Sequence, residues 1–120
     1  MRYILVIYLI VFSTSIQGQS DSTRLEAELN LSLKDTNFYN VVNSENAIIT
    51  NDSTFINIAV AILFEVYGKK NIRKQMSYKT YHIKHYWVMD GSLPTNYKGG
   101  TFHIVLDDRN CKVIEITHSK

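Results

Sequence analysis

The sequence predicts an α+β protein in which one long helix packs on a curved antiparallel sheet of about four strands. Three observations carry this reading. Apolar residues recur at helical spacing from Phe55 to Val66, apolar and polar residues alternate from Tyr78 onward, and turn-forming residues divide that second region into four short runs. A helix followed by consecutive strands gives a layer of helix on one face of a twisted sheet.

The helix is read over about Ser53 to Tyr67. Asn51-Asp52-Ser53 offers side-chain acceptors for free backbone amides, Phe55, Ala59, Ile62, Leu63 and Val66 follow at helical spacing, and Gly68 ends the run with positive φ. Between Phe55 and Tyr67 only Asn57 and Glu65 are polar, so this helix needs cover on more than one side. The sheet supplies one side. The other falls to a second copy of the chain, to a partner, or to Leu25, Leu29 and Leu33 on a short N-terminal helix over Thr23 to Leu33; intramolecular cover is the expected arrangement.

The strands follow from the change of period. Tyr81 and Ile83 alternate with Thr80, His82 and Lys84, and Trp87 and Met89 follow a polar break at Lys84-His85, which reads as a hairpin. Leu93 to Gly100 is a loop, because Pro94 and the Gly99-Gly100 pair exclude regular pairing. Phe102, Ile104 and Leu106 lead into the turn Asp107-Asp108-Arg109-Asn110, and Val113 to Thr117 complete a second hairpin. In this alternation His82 and His103 share a polar face.

Ahead of the domain at 51–120 stand two other segments. Residues 1–18 have the order of a signal peptide, with Arg2, an apolar run from Tyr3 to Phe12, then a small and polar stretch. The run is about half of the roughly 20 apolar residues that cross a bilayer, so cleavage is expected rather than a permanent membrane span, and the product is expected to be exported, periplasmic or secreted. Residues 19–50 form a polar N-terminal segment rich in Asn, Ser and Thr that carries the docking helix. The mature chain of about 100 residues suits one domain. Cys111 is the single cysteine, so no internal disulfide forms and packing must supply the stability. A net charge of +2 builds too weak a field for nucleic acid to be a partner.

Chemistry is sparse. No phosphate-binding glycine loop, serine elbow or zinc-protease motif occurs, so neither cofactor nor metal nor catalytic residue is assigned. His82 and His85 stand three apart, a spacing that separates them on a strand. Cys111 beside a turn needs a cationic neighbour to become nucleophilic, and His118 along the strand is the one at hand. Asp90, near the apolar wall of Trp87, and His103 are the acid and base of an alternative reading, in which a pocket between helix and sheet serves an enzyme or a small-ligand carrier. An exported domain with a structural role in the envelope is a third.

The C-terminal half carries a pattern: Ala59 to Leu63 and Val66-Tyr67-Gly68 on the helix, Tyr86 to Pro94 with its Trp87 and Gly91-Ser92-Leu93-Pro94, Lys98-Gly99-Gly100, and Val113 to Lys120. This resembles the small immunity-protein family with a nuclear-transport-factor-2-like (cystatin-like) fold. There a helix ending in Tyr-Gly precedes a Trp-containing strand, a Gly-x-Leu-Pro turn and a Gly-Gly strand. The resemblance covers about Asn51 to Lys120. It departs from the family pattern at Ser77, where a proline is frequent, and at Ser119, where a glycine is common. It implies a non-enzymatic protein that binds a cognate secreted toxin and blocks it by occlusion. Tyr67, Gly68, Trp87, Gly91, Leu93, Pro94, Gly99 and Gly100 are then framework residues. Tyr78, Tyr86 and Tyr97 are the candidate partner contacts, since tyrosine offers a large contact area with few torsions to freeze.

Overall fold

The computed structural model describes residues 20–34 and 38–120. Val41–Lys120 form one compact unit, and the described residues before it belong to another. The expected signal peptide, residues 1–18, lies outside the described residues. Among the described residues no helix is long and apolar enough to cross a membrane. Residues 20–33 are helical (α1), and every one of them is exposed, Leu25, Leu29 and Leu33 included.

The helical part of the second unit is divided, which corrects the expectation of one long helix. α2 spans Asp52–Tyr67 and α3 spans Lys69–Arg73. Asn51 caps α2, its side-chain oxygen accepting a hydrogen bond from the Thr54 amide at 2.8 Å. Gly68 ends it at φ 88°, with its N–H still donating to the Phe64 carbonyl. A backbone that leaves the right-handed region for one residue and re-enters it yields two helices. α3 is too short to show a period in sequence, yet its Ile72 is fully buried.

The sheet is an antiparallel meander in the order β1-β2-β3-β4, comprising Lys79–Ile83, Tyr86–Asp90, Phe102–Asp107 and Val113–His118. Its inner face supplies Trp87, Met89, Phe102, Ile104 and Leu106, which join Phe55, Ala59 and Leu63 of α2, with Ile49 and Ile72, in one buried cluster. Phe55 stacks on Trp87 at a centroid distance of 5.3 Å. The space between helix and sheet is therefore occupied by side chains that exclude water. Val66, expected among the core residues of the helix, is instead 51% exposed.

Residues 41–50 add an extended strap. The Asp108 carbonyl accepts hydrogen bonds from the Ile48 and Ile49 amides at 2.7 and 3.0 Å, and Trp87 Nε1 donates to the Ile49 carbonyl at 3.0 Å. The strap thus closes the core at the β1–β2 end of the sheet.

The register corrects the expected face of the histidines. His82 pairs with Trp87 and Asp90 with His103. Trp87 and Asp90 are three apart on one strand and point to opposite faces, so His82 and His103 do too. β1 and β3 are also not neighbours. Tyr81 and Ile83 face outward, across from Val88 and Tyr86, and are 49% and 58% exposed.

Candidate functional site

On the inner face one buried carboxylate organises the β1–β2 end. Asp108 is 2% exposed, and its two oxygens meet His82 Nε2 at 2.8 Å and His85 Nδ1 at 3.2 Å. A carboxylate only accepts, so both histidine nitrogens carry the shared protons. The His82 ring lies flat on Trp87, 4.1 Å away and inclined by 5°. The buried charge is satisfied without a metal. Among the described residues no three of His, Cys, Asp and Glu gather to hold one.

Asp107, next in the same turn, has a different partner. Its carboxylate accepts from the Arg109 backbone and from Nε and Nη2 of the Arg109 side chain at 2.9 to 3.0 Å, while Arg109 Nη1 reaches the Ser44 carbonyl at 2.9 Å. The Arg109 hydrogen bond holds the Asp107 carboxyl below the usual carboxylate range, and Asp107 in turn raises Arg109.

The outer face holds the candidate acid–base pair. His103 Nδ1 meets Asp90 Oδ1 at 2.5 Å, and Glu115 lies 4.0 Å from the other ring nitrogen. Asp90 is thus on the face opposite Trp87, which corrects the expected apolar wall beside it; its side chain is 41% exposed. Along the same face Ile83, Tyr86, Val88, Val105 and Ile114 line a shallow apolar depression. Cys111, at φ 62°, sits in the turn before β4, and His118 stands at the far end of that strand, so the pair does not meet.

The three candidate tyrosines occupy different places. Tyr86 borders the outer depression, and Tyr97 is 59% exposed in the loop between β2 and β3. Tyr78 is half-buried. Its hydroxyl donates to the Ile72 carbonyl at 3.0 Å, its ring meets Phe102 edge-on, and burial pushes its phenol up against the opposing pull of Arg73. Tyr78 therefore turns toward the core.

Gln75 is a residue that sequence reasoning missed. It is 3% exposed, and its Oε1 accepts from the Phe102 amide at 2.7 Å, its Nε2 reaches the Asn71 carbonyl and His118 Nε2 at 3.3 Å, and its carbonyl accepts from the Ser92 amide at 2.8 Å. Because His118 Nδ1 faces the Ser119 carbonyl at 2.8 Å, Nδ1 carries the imidazole proton and Nε2 accepts from Gln75. One residue so ties α3 to the start of β3 and the end of β4 through its side chain and to Ser92 after β2 through its carbonyl. Gly91 is required beneath it, since a Cβ there would lie 2.3 Å from Gln75 Oε1. Gly100 is required by the chain terminus, where a Cβ would lie 1.5 Å from the Ser119 carbonyl oxygen.

The order of these pieces, Tyr67-Gly68 at the end of α2, Trp87 in the core, Gly91 under Gln75 and Gly99-Gly100 before β3, is a frame with its spacing set by packing. Residues 54–120, more than half of the chain, match the family model described as NTF2 fold immunity protein. The chain belongs to that family. No curated protein and no solved structure matches it. In this immunity-family member the match runs from α2 to the end of the chain given, and Leu93 and Pro94 lie in the loop between β2 and β3, where the Tyr97 amide donates to the Pro94 carbonyl at 2.9 Å. A mixed architecture of helices on a four-stranded antiparallel sheet agrees with that family's fold.

Proposed function

We propose that this protein binds a cognate secreted toxin and neutralises it by occlusion, without catalysis, after export to the periplasm or beyond. The observation that carries the reading is the family match across α2 and the whole sheet. The outer sheet face supports it as a contact surface. Tyr81, Ile83 and Tyr86 are exposed there beside Val88 and Val105, with Asp90, His103 and Glu115 as a polar rim. An apolar centre with aromatic residues and a polar border is the anatomy of a protein interface. A dimer through the half-buried apolar side chains of α2, such as Ile56, Val60 and Phe64, is the other assembly open to this chain.

The test is to express the tagged chain in its native envelope and identify what co-purifies. A toxin domain recovered in stoichiometric amount is expected, and the paired substitution of Tyr81→Ser with Tyr86→Ser is expected to weaken its binding at least tenfold. Recovery of the chain as a clean monomer, with a toxin expressed beside it, would sink the reading; an unchanged affinity in the double variant would move the contact off this face.

A further inference from the structure

A second surface lies at the other end of the domain. Lys74, Asn71 and Tyr67 on the helical side and Leu93, Tyr97 and Lys98 on the loop side enclose an open cleft of about 470 Å³. Neither Asp nor Glu is among the residues that line it. Its floor includes Gly99 and Gly100, and the clash that a Cβ at Gly100 would meet keeps that backbone bare. The charge of its helical side is one-sided. From Val66 to Ser77 the chain holds Lys69, Lys70, Arg73 and Lys74 and not one carboxylate. Lys69 and Arg73 lie over the Phe64 ring at 5.7 and 5.8 Å, which leaves Lys74 as the α3-side cation at the cleft. The wall is held in place by the Gln75 hydrogen bonds to Asn71 and His118, so the cleft exists before anything enters it.

We infer that this cleft seats an acidic protrusion of the partner protein, with a carboxylate between Lys74 and Lys98 and a neighbouring apolar side chain against Tyr97 and Leu93. Uncompensated lysines at a concave site attract a negative group, and the aromatic and leucine walls reward an apolar one beside it. A nucleic-acid strand fits the cleft less well. It needs a continuous row of cations along its phosphates, whereas the cleft holds two lysines between apolar walls in a chain of net charge +2. That the partner is the toxin rests on the function proposed above; the chemistry of the cleft does not.

The experiment is an NMR titration of the ¹⁵N-labelled full chain with a blocked hexapeptide of alternating Glu and Phe, and with its Lys-for-Glu counterpart. The Glu peptide is expected to move the Gly99 and Gly100 amides and to bind more weakly as salt rises; the Lys peptide is expected to leave them in place. Both lysines are exposed, so the Lys74→Glu/Lys98→Glu variant keeps its fold, which amide dispersion checks, and is expected to bind the Glu peptide at least tenfold more weakly. Lys84→Glu, away from the cleft, is expected to bind as the parent does. Unmoved glycine amides, or equal binding by the double variant, would overturn the assignment. So would tighter binding of single-stranded DNA or phosphatidylserine vesicles at the same lysines, which would make the site a polyanion site. If a toxin co-purifies undiminished with the double variant, the cleft assignment fails and the immunity reading stands. Peptide binding at the cleft without any co-purifying toxin gives the reverse.

Discussion

Asp107 and Asp108 are adjacent, both buried, and committed to different tasks. Asp108 spends both oxygens on His82 and His85, and its carbonyl on the strap. Asp107 is held by Arg109, which lowers its carboxyl pKa. A carboxyl depressed in the folded state adds stability that is present above its unfolded value of about 4 and is lost as pH falls through the folded value. Asp107→Asn is therefore expected to be less stable than the parent at neutral pH, with the gap closing below about pH 4. Urea unfolding across that range measures it; a gap that stays constant on acidification would mean that the charge of Asp107 contributes nothing. The turn was legible in the run Asp107 to Asn110, whereas the partners of Asp108 were not. His82 lies 26 residues away, and only the pairing of β1 with β2 together with that of β2 with β3 brings it to the turn. Gln75 was invisible for the same reason, with partners 27 and 43 residues downstream.

Among the elements, α2 was the most legible. Its start at Asn51 and its stop at Gly68 follow from local chemistry, a side chain that caps an amide and a residue that tolerates positive φ. Asn51→Ala is expected to cost about 1 kcal/mol, read as a shift of the urea midpoint at unchanged slope. No loss would show that the strap and the core fix the helix start without the cap. β1 was legible as a strand but not as to its faces. Alternation says that Tyr81 and Ile83 lie together opposite Thr80 and His82. It does not say which side meets the core. Here the more apolar side faces outward, because His82 satisfies its polar atom on Asp108 while its ring covers Trp87. The same arrangement leaves the outer face of the sheet apolar enough to serve as a contact surface.

At the scale of the molecule, the domain begins before its regular structure does. The strap places Ile49 in the core at 1% exposure, caps the Trp87 indole and takes the Arg109 guanidinium at Ser44. A chain starting at Val41 is expected to unfold cooperatively within about 4 °C of the full chain, since a 1 kcal/mol change moves a domain of this size by roughly 4–8 °C. A chain starting at Asn51 loses Ile49 and the bonds to Asp108, and is expected to melt at least about 10 °C lower, in line with the roughly 2–5 kcal/mol that removing a buried isoleucine side chain costs. Circular dichroism at rising temperature separates the two. Equal midpoints would mean that the strap is an ornament of the surface.

Composition, periodicity and turn chemistry were sufficient for the α+β class, the position of α2 and the two hairpins. Each of these depends on residues close together in the chain, where backbone geometry alone sets the rule. The burial of Ile72 on α3, the outward face of β1, the bridge from Asp108 to two histidines, the Gln75 junction and the basic cleft depend on residues brought together by strand pairing and core packing. Their energies arise from contacts between distant segments, and those contacts exist only once the chain has closed.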